Sequence, residues 1–230
     1  AVNGVAFTTQ PTVEIQDVSG NKVASSTASI TASASAGATL DGTSTSNATA
    51  GSLTFSGLKL TGASGDYTLT YSSNGLTSFV QNITNAPGAA TQISITGSST
   101  SVNDQALGYQ PVVTVKDASG NTVTDSNASI TLSATGAAIG GTVTMNAVNG
   151  VANFDGKGVK LTGLVGAKTI TATSTPGSFT ADLAVTLTYG TATKLSVSAS
   201  TVSATNRVAF AAQPTVTVQD VSGNTVDLSL

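Results

Sequence analysis

The 230-residue chain has no cysteine, no histidine and no tryptophan, and its charge is sparse: Lys, Arg, Asp and Glu together make up 8% of it, for a formal net charge of -3. Each absence excludes a chemistry. Without imidazoles or thiols there is no side chain that ordinarily titrates near neutrality and none of the usual zinc and copper ligands. A serine nucleophile would have no imidazole base beside it. The eleven acids fall mostly in turn contexts and not as a facing pair, so glycoside hydrolysis is not expected and the chain reads as a non-enzyme. One arginine, Arg207, and seven dispersed lysines cannot build the clustered cationic surface that a phosphate backbone requires, so nucleic acid is not an expected partner. No stretch of 18 apolar residues occurs, so no membrane insertion by a helix is expected. Ala1-Val2-Asn3-Gly4 shows no basic segment leading into an apolar one, so any secretion signal has been removed or the chain is an internal piece.

What is abundant is hydroxyl. Ser and Thr account for 70 residues, a proportion that in an apolar-poor chain would mean disorder or a glycosylated stalk. This chain is 39% hydrophobic with a mean hydropathy of +0.21. Its Val, Ile, Leu and Phe alternate with Thr and Ser, the pattern of a half-buried strand, so a folded all-β protein is expected.

The chain repeats itself. Gln10-Pro11-Thr12-Val13-Glu14-Ile15-Gln16-Asp17-Val18-Ser19-Gly20-Asn21 returns from Gln110 to Asn121 and again from Gln213 to Asn224, at spacings of 100 and 103 residues. Ala28-Ser29-Ile30-Thr31 matches Ala128-Ser129-Ile130-Thr131, Leu60-Thr61-Gly62 matches Leu161-Thr162-Gly163, and Phe55 matches Phe154. Seven residues ahead of each Gln-Pro stands an asparagine: Asn3, Asn103 and Asn206. A period this long exceeds that of a solenoid repeat and suffices for a complete β-sandwich of about seven strands. The expected organisation is residues 1–88 as a unit lacking its first strand, 89–190 as a complete unit and 191–230 as a partial unit ending just inside its third strand, near Leu230.

Within the complete unit the pattern predicts strands at 90–96, 110–116, 128–134, 142–148, 151–161, 168–174 and 179–188. Asn149-Gly150 predicts a two-residue hairpin between the fourth and fifth, and Lys157-Gly158, extra relative to the first unit, predicts a bulge. A period of two aims Val113 and Val115, with Val13, Ile15, Val216 and Val218, into the cores. Phe154 and Leu161 join them with Phe55 and Leu60, as do Ile170 and Ala172 with Leu69 and Tyr71.

The run Val113-Thr114-Val115-Lys116-Asp117-Ala118-Ser119-Gly120-Asn121-Thr122-Val123, then Gly140-Gly141-Thr142, Asn149-Gly150-Val151-Ala152 and Gly166-Ala167-Lys168-Thr169-Ile170-Thr171-Ala172 resembles the bacterial immunoglobulin-like repeats of surface proteins, of the invasin and intimin type. The proline usual after the Asp-x-x-Gly-Asn turn is replaced by Lys22 and Thr122. The resemblance implies tandem immunoglobulin-like sandwiches in an extracellular structural or adhesive protein at the cell surface, with no catalytic residues to carry over.

The sharpest recurring polar feature is the aspartate that opens each Asp-x-Ser-Gly-Asn turn: Asp17, Asp117 and Asp220. Carboxylates in a loop are candidate Ca²⁺ ligands, but one per loop falls short of the six to eight oxygens calcium takes. An Asx-turn closed by Gly-Asn accounts for all three without a metal, so no cofactor is expected. Asn47, Asn82 and Asn127 open N-glycosylation sequons. Two functional readings remain: a surface filament, sheath, layer or adhesin stalk, or a carbohydrate- or receptor-binding module or virion decoration that would present rim aromatics such as Tyr109 and Tyr189. The open edges expected of the first and last units make other copies of the chain, or neighbouring repeats, the expected partners, by strand addition.

Overall fold

Alternating aliphatic and hydroxyl residues become strands throughout. The computed structural model describes residues 1–198, 205–210 and 212–227, and no helix occurs among them. The chain forms two compact units, Ala1–Thr91 with Lys116–Thr124, and Gln92–Val115 with Asp125–Leu230. The turn that opens with Asp117 therefore belongs to the first unit, although its sequence repeat begins in the second.

The first unit contains β1 (Thr12–Glu14), β2 (Ser29–Ala34), β3 (Ala38–Thr43), β4 (Thr45–Asn47), β5 (Ser52–Thr54), β6 (Ser56–Gly62), β7 (Gly65–Ser72) and β8 (Phe79–Asn85). A four-stranded sheet runs β4-β2-β7-β8, and two ribbons, β1-β5 and β3-β6, complete the unit. Ile15, Leu53, Phe55, Leu58 and Leu60 pack with Ile30, Ala32, Leu69 and Tyr71 in one buried cluster. The rings of Phe55 and Tyr71 stand 5.7 Å apart.

The second unit contains β9 (Gln92–Thr96), β10 (Thr100–Val102), β11 (Val112–Lys116, whose last residue falls in the first unit), β12 (Ser129–Thr135), β13 (Ala138–Gly140), β14 (Thr144–Asn146), β15 (Val151–Asn153), β16 (Lys160–Thr162), β17 (Gly166–Thr175), β18 (Thr180–Thr188), β19 (Lys194–Ser198) and β20 (Thr215–Gln219). Its larger sheet runs β10-β18-β17-β12-β14 and its smaller one β15-β11-β9, with ribbons β13-β16 and β19-β20. β10 runs parallel to β18, whereas β17-β18 and β12-β17 are antiparallel. Of the seven strands expected for this unit, the first, second and fifth (β9, β11, β15) form one sheet and the third, fourth, sixth and seventh (β12, β14, β17, β18) the other, with β10 added at its edge, the two-sheet arrangement of an immunoglobulin-like sandwich. The protein is all-β and built of tandem immunoglobulin-like sandwiches.

The predicted inward positions are buried at Val113, Val115, Phe154, Leu161, Ile170 and Ala172, and at Ile15, Phe55, Leu60, Leu69 and Tyr71. Val216 departs from expectation. It is 56% exposed, because β20 pairs with β19 in a two-stranded ribbon that no second sheet covers among the described residues. The predicted start of a third strand near Leu230 lies outside the described residues.

The predicted 142–148 to 151–161 hairpin is also corrected. Asn149 and Gly150 do form a tight turn with positive φ values of 51° and 77°, closed by paired backbone hydrogen bonds between Val148 and Val151. The strands on either side then part: β14 pairs with β12 and β15 with β11. The turn carries the chain from one sheet to the other, a step that hairpin chemistry alone cannot distinguish from continued pairing. The predicted long fifth strand is two short ones, β15 and β16, and Lys157-Gly158 lies in the break. Outward threonines meet across strands, with Thr131 and Thr144 hydroxyls 3.1 Å apart, Thr31 and Thr45 3.0 Å, and Thr12 and Thr54 2.9 Å, which stabilises the solvent faces modestly.

Phe154 is fully buried and Val18 fully exposed. Phe154→Ala is therefore expected to destabilise the second unit by about 3–5 kcal/mol, and Val18→Ala by less than about 0.5 kcal/mol, as measured by urea denaturation.

Candidate functional site: the buried aspartate turns

In all three turns the aspartate folds the backbone over itself. Asp17 Oδ1 accepts from the N–H groups of Ser19 and Asn21, each at 2.9 Å, and the same contacts recur at Asp117 and Asp220. The short polar side chain thereby substitutes for a backbone turn partner. The environments then diverge. Asp117 and Asp220 are 1% and 0% exposed, while Asp17 is open to solvent.

Burial comes from a second set of donors. Asp117 Oδ2 accepts from the Asn3 amide at 2.8 Å, the Gly88 N–H at 2.9 Å and the Asn121 amide at 2.9 Å. Asp220 Oδ2 accepts from the Asn103 amide at 2.8 Å, the Gly190 N–H at 2.9 Å and the Asn224 amide at 2.8 Å. Two asparagine amides then grip one glycine from both sides. The Gly62 N–H donates to Asn3 Oδ1 and its carbonyl accepts from Asn121 Nδ2, each at 2.9 Å. Gly163 is held in the same way by Asn103 and Asn224. Gly88 and Gly190 must be glycine for a steric reason: a Cβ there would stand 2.7 Å from the Asn3 carbonyl oxygen and 2.4 Å from that of Asn103.

Five neutral N–H donors converge on each carboxylate, which favours its ionised form. Burial alone would push the Asp117 carboxyl up. The donors from Asn121, Gly88 and Asn3 outweigh it and hold the group well below its ordinary value of 3.8. At Asp220, burial is likewise outweighed by Gly190, Asn224 and Asn103. Asp17 is lowered mainly by the Asn21 backbone N–H and then by the Asn21 side chain.

The three candidate aspartates are thus not brought together; each serves its own turn. Among the described residues no three acids gather where a cation could be held. At Asp117 and Asp220 the oxygens face N–H donors, which repel a cation. The recurring asparagine ahead of Gln-Pro was visible in the sequence as a landmark; its role as carboxylate donor depends on a glycine 59 or 60 residues further on, whose N–H it accepts. Gln10 and Gln110 also acquire roles. Gln110 accepts from the Val159 N–H at 2.7 Å and donates to the Val159 carbonyl at 3.1 Å, and Gln10 does the same at Leu58. Each acts as a side-chain substitute for a strand partner.

The other sequence candidates are scattered. Tyr109 is 80% and Tyr189 41% exposed, and neither ring pairs with another among the described residues. Asn47, Asn82 and Asn127 are all exposed.

No protein-family model matches the chain, and no curated protein matches it. Among solved structures it is similar to invasin, a bacterial integrin-binding protein, at 17% identity and a TM-score of 0.40 over 99% of this chain and 47% of that one. It is similar to domains 4–9 of the surface layer protein SbsC at 16% identity and a TM-score of 0.29, over 93% and 31% of the two chains. It is also similar to a beta-glycosidase from Bacteroides vulgatus at 11% identity and a TM-score of 0.38, over 70% and 21%. The chain spans about half the length of the invasin chain and about a fifth of the glycosidase chain.

Because the folded pKa of Asp117 and Asp220 lies below the unfolded value, the native state binds fewer protons in this range. The stabilisation is full above pH 3.8 and is lost as pH falls below it toward the folded values. Asp117→Asn turns an amide N–H₂ toward groups that are themselves donors. It is expected to destabilise the first unit at neutral pH by roughly 2–4 kcal/mol and to flatten the acid limb of a plot of urea midpoint against pH.

Proposed function

We propose that the chain is a non-catalytic, extracellular structural protein whose immunoglobulin-like repeats build a surface filament, sheath or layer, or the stalk of an adhesin. The observation that carries this reading is the recurrence of the buried-aspartate turn with the same partners, Asn3, Gly88 and Asn121 around Asp117 and Asn103, Gly190 and Asn224 around Asp220. A motif that ties a turn of one sequence repeat to residues of the repeat before it lets a chain be lengthened one repeat at a time.

The chemistry of the turn suits an exterior setting. Its donors are amides and backbone N–H groups, which do not titrate, and its aspartate stays ionised well into acid. A buried contact of this kind is also screened little by salt. Repeat-to-repeat cohesion that tolerates varying pH and ionic strength is what a protein outside the cell needs. The outward threonine pairs and scarce surface charge supply a wettable face without a concentrated recognition patch.

Antibodies raised against the purified chain, used with gold labelling on intact cells that make it, are expected to decorate a continuous layer or filament outside the cell. Label confined to the cell interior, or released with soluble protein, contradicts the proposal.

A further inference from the structure

The sequence repeats serve as controls on one another: a surface residue that one carries and another lacks is not demanded by the fold. On the second unit, the outward face of the β15-β11-β9 sheet holds a cavity of about 520 Å³, within the roughly 300–1,000 Å³ of small-molecule sites. Each of the three strands lines it, through Asn153, Val112 and Thr96, and Tyr109 and Asp155 join them from the adjoining loops. It is the one departure from the wettable threonine face described above.

Three of these residues replace plain ones. The position of Tyr109 is Thr9 in the first repeat and Ala212 in the third, while Asn153 and Asp155 correspond to Thr54 and Ser56 in the first. Thr54 is satisfied on its own surface, its hydroxyl 2.9 Å from that of Thr12. In the second unit the same cross-strand position sets Asn153 opposite Val112, whose side chain offers no polar atom. Asn153 Oδ1 accepts from the Asp155 N–H at 2.9 Å, and Asp155 Oδ1 from the Gly156 N–H at 3.0 Å. That leaves Asn153 Nδ2 as a donor and Asp155 Oδ2 as an acceptor, both without protein partners among the described residues. Tyr109 is one of four tyrosines in a chain without tryptophan, yet it is 80% exposed. Its backbone is fixed. The Tyr109 N–H donates to the Ser98 hydroxyl at 2.8 Å and its carbonyl accepts from the Ser98 N–H at 3.1 Å, so the ring's mount loses little freedom on meeting a ligand.

We infer that this cavity is a binding subsite for a neutral saccharide, with one face of a pyranose ring on Tyr109 and two neighbouring hydroxyls on Asn153 and Asp155. A pyranose has an apolar face of C–H groups and an edge of hydroxyls. The negative face of an aromatic ring meets the C–H groups. Each sugar hydroxyl both donates and accepts, so an amide donor beside a carboxylate acceptor serves a vicinal pair. Asp155 is the one charged side chain in the lining among the described residues, and it disfavours sugars that bear carboxylate or sulfate. The inference goes beyond the structural reading above, since it concerns what one repeat holds and not where the chain is found.

The test is a heteronuclear NMR titration of the whole chain with the neutral probes maltotriose, cellotriose, mannotriose and chitotriose and the acidic probe trigalacturonic acid. Each is taken to about 20 mM, above the millimolar affinity within reach of a single subsite. Saturable shifts of the Gly108, Tyr109 and Asn153 amides with at least one neutral probe support the proposal. Tyr109→Phe keeps the ring and is expected to bind within about threefold of the native chain, whereas Tyr109→Ala weakens binding at least about tenfold. Both substitutions are at an exposed side chain, and an unchanged urea midpoint verifies that the variants fold. The proposal is overturned by the lack of a saturable shift with every neutral probe, or by an affinity that survives Tyr109→Ala. Shifts of equal size at Thr9 and Thr54 would mark a general property of the threonine-rich faces and overturn it too, as would trigalacturonic acid binding as well as the neutral probes.

Discussion

An ionised carboxylate taken out of water costs several kcal/mol unless the site returns the hydrogen bonds that water supplied. Asp117 and Asp220 meet that condition with five N–H donors each, from two asparagine side chains and three backbone positions. The rest of the repeat follows from this one demand. An asparagine must stand just ahead of the Gln-Pro strand, a glycine must close the unit so that its N–H can approach, and a Gly-Asn must end the turn so that a second amide points back at the carboxylate. These residues recur because together they make burial of a charge favourable.

The same demand explains how the chain divides. The first compact unit takes in Lys116–Thr124, since the donors that Asp117 needs lie at Asn3 and Gly88. A turn that would be an ordinary exposed loop, as it is at Asp17, becomes part of a folded interior when those donors are present. Asp17 shows the turn by itself: the Asx contacts with Ser19 and Asn21 form, and the side chain remains at the surface. Local chemistry makes the turn, and the distant asparagine and glycine bury it.

Much of the fold was legible in the sequence because a period of two is a local signal. Val113, Val115, Ile170 and Ala172 are buried where alternation puts them. What was not legible depended on partners distant in the chain. The Asn149-Gly150 turn has hairpin chemistry, yet its flanking strands enter different sheets, a choice made by which neighbours β12 and β11 offer. β10, three residues long, runs parallel to β18, and so short a segment carries too little periodicity to declare itself. The alternation of Val216 and Val218 is as regular as that of Val113 and Val115, but burial needs a facing sheet, and the pattern cannot report whether one is there. At the candidate site the sequence singles out the three aspartates and favours an Asx-turn over a calcium ligand for each. Three of the five donors to each buried carboxylate belong to the turn itself, but the two that complete its burial lie about 30 and more than 110 residues away, beyond the reach of any local motif.

Asn103 and Asp220 act as one unit, the amide and the buried carboxylate each depending on the other. A double-mutant cycle with Asn103→Ala, Asp220→Ala and the pair, read from urea unfolding of the second unit, measures that dependence directly. The loss in the double variant is expected to fall short of the summed single losses by a coupling energy of about 1–3 kcal/mol, the remainder of the Asn103 loss coming from its bond to the Gly163 N–H. Simple additivity of the two losses would contradict it.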